Sequence, residues 1–305
     1  DDGISPNEVT FICILKACGS TRSIDIGKQI HDKILSMGLL EKYVMLGTAL
    51  VDMYAKCGIV AKAQEVLEEL PIRNIVSWNA LIAGYAQQGQ GHEVLTCFDR
   101  LKNEGLSPDE VTFLPILKAC GSIGAIDKGT HIYDEIVSRG LLEKHSLLGN
   151  AVVDMYAKCG VLAKAQEVLE KLSNRDIVSW NALIAGYVQH GKSDEAVGCF
   201  EQMQHEGLSP DVVTYTCILK ACGERGGLDK GKQIHEEIIT KGLLGKDIIL
   251  GNALVDMYSK RGFLGEARKV LENLPERHVV SWSALIAGYS QQGQGHEALN
   301  CFEQM

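Results

Sequence analysis

The chain has 305 residues, of which 46% are hydrophobic and 23% charged; length alone would make about two domains. A formal net charge of −9 excludes a broadly basic protein that binds nucleic acid indiscriminately through phosphate, though not one with a locally basic groove. No apolar run approaches the roughly 20 residues of a membrane-spanning helix, and no N-terminal targeting segment is visible.

Taken in order, Gly3, Ser5, Pro6 and Asn7 match Gly207, Ser209, Pro210 and Asp211, so residues 1–7 read as the end of a preceding unit. Three units of 36, 31 and 35 residues follow, at 8–43, 44–74 and 75–109. The series recurs at 110–145, 146–176 and 177–211, and again at 212–247, 248–278 and a shortened 279–305. The phrase ILKACG at Ile14, Ile116 and Ile218 carries the same shift of 102 residues. Stacked units share one continuous core, so the repeat overrides the two-domain expectation. The pattern stops inside a helix at Met305, which suggests a piece of a longer protein.

Each unit reads as two helices. In the 31-residue unit, Gly160 makes the interhelix turn, as do Gly58 and Gly262, and Leu162, Ala165, Val168, Leu169 and Leu172 form an apolar stripe. In the 35-residue unit, Trp180, Leu183, Ile184 and Tyr187 fall at offsets 0, 3, 4 and 7 on one helix face. Ser179 is expected to cap that helix and Gly191 to break it. Ala196, Phe200 and Met203 line a second helix, ended by the Gly207–Pro210 segment. Nothing alternates with a strand period, so the expected class is an all-α solenoid whose hairpins stack into a superhelix.

The ten cysteines follow the repeat rather than any ligand spacing: Cys18, Cys120 and Cys222 are equivalent, as are Cys97, Cys199 and Cys301, and no C-x-x-C occurs. Buried structural thiols in a reducing compartment are expected.

The wording of residues 177–211, IVSWNALIAGYxQxGxxxEAxxCFEQMxxEGLSPD, resembles a pentatricopeptide repeat. The alternation of 35-, 36- and 31-residue units is similar to the plant P-L-S subclass, with P units opening at Ile75, Ile177 and Val279. L units open at Glu8, Glu110 and Val212, and S units at Val44, Ser146 and Ile248. The resemblance implies a right-handed α-solenoid superhelix of helix-turn-helix repeats in L-S-P order. It implies sequence-specific binding of single-stranded RNA in a mitochondrion or plastid, placing a C-to-U editing activity. It also implies MORF-type editing factors as partners, often through L units, and a deaminase domain beyond Met305 or supplied in trans. No catalysis, cofactor, metal or membrane is expected of the array itself.

In such arrays one base is read per repeat by two or three side chains. By resemblance these are the fifth and last residues of a unit, with the second residue against the base face. The pairs are Ile12 with Tyr43, Thr48 with Asn74, Asn79 with Asp109, Leu114 with His145, Asn150 with Asp176, Asn181 with Asp211, Thr216 with Asp247, and Asn252 with His278. Ser283 lacks a partner. Val76, Val178 and Val280 would contact base faces. The implied target, with the N-terminus toward the 5′ end, is 5′-N-A-U-N-U-U-G-Y-R-3′; Ile12 and Leu114 cannot bond a base edge and read nothing.

Helix geometry supports a separate reading face, since Val178, Asn181, Ala185 and Val188 lie at offsets 0, 3, 7 and 10. An amide carries both donor and acceptor for a base edge. Asn150, Asn181 and Asn252 could instead merely cap helices, but Ser77, Ser179 and Ser281 are expected to occupy the cap position in P units. Lys16, Lys118 and Lys220, with Lys56, Lys158 and Lys260, recur four and eight residues past the readers and should meet phosphate. His235-Glu236-Glu237 matches the H-x-E half of a zinc deaminase motif without its C-x-x-C half. The competing class is a protein-binding helical-repeat scaffold, which need not depend on salt or base identity.

Overall fold

The computed structural model describes residues 6–224 and 227–305. The unit end expected over 1–7 lies outside the described residues apart from Pro6 and Asn7. Nineteen helices and no strand occur among the described residues. The first helices of the hairpins are α1 (Glu8–Thr21), α3 (Val44–Lys56), α5 (Ile75–Gln87), α7 (Glu110–Ile123), α10 (Ser146–Lys158), α12 (Ile177–Gln189), α14 (Val212–Glu224), α16 (Ile248–Lys260) and α18 (Val279–Gln291). Their second helices are α2 (Ile24–Ser36), α4 (Val60–Glu69), α6 (Gly91–Asn103), α8 (Ile126–Ser138), α11 (Leu162–Lys171), α13 (Ser193–His205), α15 (Leu228–Thr240), α17 (Leu264–Asn273) and α19 (Gly295–Gln304). The two-helix pattern did not anticipate α9 (Leu141–Lys144). It is a single helical turn closed by the His145 N–H donating to the Leu141 carbonyl at 3.0 Å, and the equivalent bonds at Tyr43 and Asp247 close the same turn.

Two compact units, Asp1–Met155 and Tyr156–Met305, divide the chain within α10. In the first, α1, α3, α5 and α7 pack in series as one layer, and α2, α4 and α6 each sit against the first helices before and after them. In the second, α12, α14, α16 and α18 form the corresponding layer, backed by α13 and α17 in the same way. One helical hairpin cannot bury its apolar stripe alone, and the neighbours supply the cover.

The stripe of α12 is the core: Trp180, Leu183, Ile184 and Tyr187 are all buried. On the facing helices Ala165, Val168, Leu169, Phe200 and Met203 are buried too, with Leu172 half-buried. The Trp78 indole donates to Glu104 at 2.8 Å and the Trp180 indole to Glu206 at 3.1 Å, so each buried ring satisfies its polar atom at the hairpin edge. Val188 is buried, not on the exposed face expected for it. Cys97 and Cys199 are buried thiols pushed up to about 12 by burial, whereas Cys13 is exposed, against the expectation of uniformly buried thiols.

The caps also differ from expectation. Ser179 is not the cap of α12 but its third residue. Asp176 is the cap, accepting from the Ser179 N–H at 2.9 Å, while the Ser179 hydroxyl accepts from the Asp176 N–H at 3.1 Å. Asn74 and Ser77 do the same for α5. A carboxylate at the cap both accepts the orphan N–H and meets the positive end of the helix dipole, which favours Asp over Ser in that role.

Glycine is required at two kinds of place. Gly58, Gly160 and Gly262 turn the hairpins at φ of +82°, +79° and +77°. Gly84 and Gly186 let first helices touch: an added Cβ would lie 2.8 Å from the Ala55 Cβ and 2.6 Å from the Ala157 Cβ respectively. Gly186→Ala is expected to cost about 1–3 kcal/mol in urea unfolding by overpacking. Gly198→Ala, on an open face of α13 with nothing within 4 Å of the added Cβ, should be neutral or stabilise by up to about 1 kcal/mol.

Between α2 and α3 the His31 Nδ1 lies 2.9 Å from the Tyr54 hydroxyl, and between α15 and α16 the His235 Nδ1 lies 3.0 Å from that of Tyr258. This is the role of the histidine in the H-x-E match. Burial pushes both imidazoles below the ordinary histidine value. The folded state therefore binds fewer protons than the unfolded one, and the stabilisation present above the unfolded pKa is lost as pH falls through the folded pKa. The urea midpoint should drop between about pH 7 and pH 5, and His31→Gln with His235→Gln should flatten that slope.

Candidate nucleic-acid interface

The first turn of each first helix presents its second residue away from the core. Val76, Val178 and Val280 are exposed as expected for base contacts, and so are Val9, Met45, Val111, Leu147, Val213 and Ile249. All nine are 52–63% exposed, although each is a large aliphatic side chain. The last six were not singled out from the sequence. The signal was available, because each is simply the second residue of its unit.

The fifth residues lie one turn further along. None is a cap, which removes the bland alternative for Asn150, Asn181 and Asn252. Nor are they freely exposed: Thr48, Asn79, Asn150 and Asn181 are largely buried, Thr216 and Asn252 are half-buried, and only Ser283 is exposed. Burial of an amide is tolerable when its polar atoms are bonded. The Asn79 Nδ2 donates to the Asp109 Oδ1 at 3.0 Å, and its Oδ1 accepts from the Thr112 hydroxyl at 2.7 Å. The arrangement repeats in the second unit, with Asn181 donating to Asp211 at 3.0 Å and accepting from Thr214 at 2.6 Å. The Thr48 and Thr216 hydroxyls instead donate to carbonyls one turn back, Val44 at 3.3 Å and Val212 at 2.7 Å.

The last residues are mostly helix caps. Asn74, Asp109, Asp176, Asp211 and Asp247 each accept an N–H from the first turn of the following helix. Tyr43 and His278 make no side-chain cap bond, and the His145 Nδ1 lies 2.5 Å from Glu110. The structure thus joins two of the expected pairs by a direct bond, Asn79 with Asp109 and Asn181 with Asp211. Among the described residues it makes no such bond between Thr48 and Asn74, Thr216 and Asp247, or Asn252 and His278.

Burial alone would raise the Asp109 and Asp211 carboxyls. Bonds from Thr112 and Asn79, and from Thr214 and Asn181, outweigh it and hold both below the usual aspartate range. Both carboxylates are therefore ionised acceptors throughout the neutral range.

In the first unit these side chains border a groove of about 400 Å³ along α1, α3, α5 and α7. Val76, Val111 and Met45 give it apolar walls, Thr48 and Asn79 lie on its floor, and Lys16 and Asp52 stand at its edge. The lysine ladder is only partly positive. Lys56 is paired with Asp52 and Lys260 with Asp256, both at 2.7 Å, whereas no carboxylate among the described residues lies within 4 Å of Lys16, Lys118 or Lys220. Among the described residues no cluster of His, Cys, Asp and Glu could hold a metal ion, and no helix is long and apolar enough to cross a membrane.

The pentatricopeptide repeat family matches residues 73–122, 150–177, 175–224, 213–243, 252–279 and 280–305. A chloroplastic pentatricopeptide repeat-containing protein of Arabidopsis thaliana is 37% identical over 98% of this chain and 48% of its own length. A mitochondrial one from the same plant is 39% identical over 97% of this chain and 28% of its own. The chain thus spans about half, or less, of the length of these relatives. The crystal structure of the pentatricopeptide repeat protein PPR10 in complex with an 18-nucleotide psaJ RNA element shares the fold, with a TM-score of 0.81 and 22% identity over 99% of this chain and 45% of that one. Matched by the repeat over more than half its length, and similar to such relatives from one end to the other, the chain belongs to the pentatricopeptide repeat family.

Proposed function

We propose that the array binds single-stranded RNA, one nucleotide per hairpin, each base resting against an exposed second residue while its edge meets the fifth and last residues. The observation that carries this is the juxtaposition, in seven of the nine hairpins, of an aliphatic side chain open to solvent with a polar side chain one turn away. A recurring row of exposed aliphatic side chains can be covered by apolar faces, and a base has such a face. RNA bound by the PPR10 relative supports the same reading.

Within it, Asn79/Asp109 and Asn181/Asp211 read uracil, Thr48/Asn74 adenine and Thr216/Asp247 guanine, toward the target 5′-N-A-U-N-U-U-G-Y-R-3′. Asn150/Asp176, Asn252/His278 and Ser283 complete the set with uracil, a pyrimidine and a purine. In the parent protein such an array would place C-to-U editing in a mitochondrion or plastid, with a deaminase domain in cis or in trans and MORF-type factors on the hairpins whose fifth residues are Ile12 and Leu114. The chloroplastic and mitochondrial names of the relatives support the compartment.

The unpaired Lys16, Lys118 and Lys220 supply the phosphate contacts. Lys56 and Lys260, already neutralised by Asp52 and Asp256, contribute less. A protein-binding scaffold would show no base dependence and need not depend on salt.

Replacing the uracil opposite Asn181/Asp211 by adenine should weaken binding of the target oligomer by about 1–3 kcal/mol; unchanged affinity in a filter-binding titration would refute the assignment. Lys16→Gln, Lys118→Gln and Lys220→Gln together should weaken all oligomers alike and flatten the slope of log K against log salt by about 2–3. Lys56→Gln should change it little.

A further inference from the structure

Uracil and cytosine present opposite patterns on the edge a reader meets: uracil has an acceptor O4 beside a donor N3–H, cytosine a donor amino group beside an acceptor N3. An asparagine amide is the same shape after a half-turn about its last bond, with donor and acceptor exchanged. An amide free to turn therefore accommodates either pyrimidine. Only an amide held one way round can tell them apart.

Two contacts hold Asn79. The Asp109 carboxylate, which can only accept, takes one Nδ2 hydrogen at 3.0 Å; that turns Oδ1 toward the Thr112 hydroxyl 2.7 Å away, whose single hydrogen is shared between it and the Asp109 Oδ1 at 2.8 Å. Thr112 is itself kept in place, because its hydroxyl accepts from the Asp109 N–H at 3.1 Å and its own N–H donates to the Asp109 Oδ1 at 2.9 Å. Thr112 is fully buried and belongs to α7, the helix after the reader's own hairpin. Asn181, Asp211 and Thr214 repeat every one of these contacts, at 2.6–3.2 Å. Each amide keeps one N–H and one oxygen lone pair for a base, in a set order.

Elsewhere the residue in the threonine's place does not make this contact. At the start of α5, α12 and α18 the corresponding residues Ser77, Ser179 and Ser281 turn their hydroxyls onto the carbonyl of their own cap, at 2.9, 2.8 and 2.8 Å. Asn252, whose following cap is His278, has a buried Oδ1 with no hydrogen-bond partner. It is half-buried and holds no fixed order of donor and acceptor.

We infer that Thr112 and Thr214 are specificity-determining positioning residues, contributed by the next hairpin, that hold Asn79 and Asn181 in one amide orientation and so separate uracil from cytosine. This rests on the proposed reading of bases by these asparagines. It adds a third residue to each pair, one that touches no base.

The test measures affinity of the whole chain for the target oligomer with uracil or cytosine opposite Asn79, Asn181 and, separately, Asn252. The wild-type protein should favour uracil at the first two sites and show little preference at the third. Thr112→Val with Thr214→Val should lower the uracil-to-cytosine ratio at those two sites by about 3- to 10-fold, the worth of one neutral hydrogen bond, and leave the Asn252 site unmoved. Thr112→Ser with Thr214→Ser should lower the ratio as well, since the serines at this position in other hairpins turn their hydroxyls onto the cap carbonyl. A wild-type preference for uracil that survives in a folded valine variant overturns the inference and leaves the proposed reading standing. Absence of any wild-type preference at Asn79 and Asn181 in an RNA that does bind overturns both. Should the valine pair fail to fold, the wild-type comparison decides: equal discrimination at Asn252 and Asn79 overturns the role given to threonine.

Discussion

The structure depends on a carboxylate used twice. Asp109 ends one hairpin and caps the next helix, so its oxygen must sit where the first-turn N–H groups of α7 converge. That same oxygen is where the Asn79 amide finds its acceptor. Because the cap fixes the carboxylate against the helix dipole, the position of the asparagine is set by the start of the following helix, not by its own hairpin. Asp211 does the same between α13 and α14. Under the proposed reading, the Asn79 and Asn181 positions are thus built at a junction, and the register between neighbouring hairpins is part of the site.

That coupling explains why Asn79 and Asn181 can be largely buried. An amide taken out of water with its bonds unmade would cost about 1–3 kcal/mol. Here the asparagine is met by a carboxylate and a hydroxyl already needed for helix capping, so the desolvation is largely offset. What stays in contact with solvent is the aliphatic second residue, one turn earlier. Under the proposed reading, the division places the polar specificity in a setting partly shielded from water, where hydrogen bonds count for more, and leaves the less selective face contact at the surface.

Much of this was legible in the residues. Trp180, Leu183, Ile184 and Tyr187 are buried because their 0, 3, 4, 7 spacing is one stripe of a helix, and the turn glycines take positive φ where the apolar pattern breaks. Val188 was misplaced for a geometric reason: ten residues along an α-helix return about 80° away from the starting direction, which carries it from the face of Val178 round to the core. Serine is a good cap, which makes Ser179 the expected one, but an aspartate three residues earlier serves better at a dipole's positive end and turns the serine into its reciprocal partner. The burial of Asn79 and Asn181 and the threonine behind each of these two could not be read at all. Their contacts span some thirty residues of chain, and only the stacking of hairpins brings them together.

The same limit applies to charge. Counting lysines along one face suggests an unbroken positive track, yet in the 31-residue hairpins an aspartate stands four residues before each, and Asp52 and Asp256 neutralise Lys56 and Lys260 along their helices. An ion pair on a half-exposed helix face is worth little to stability, so its consequence lies in what the surface offers a polyanion. Positive charge without a partner is left on α1, α7 and α14, the helices that open the 36-residue units. Of these, α7 and α14 carry the threonines that brace the preceding asparagine. Helices whose own fifth residues, Leu114 and Thr216, offer a base edge little or a hydroxyl already bonded to the backbone therefore still have work to do: they hold the neighbour's amide and present the unpaired lysine. On this argument a hairpin is not the smallest functional element of the array. The smallest element is the junction, an asparagine from one hairpin with an aspartate and a threonine at the threshold of the next.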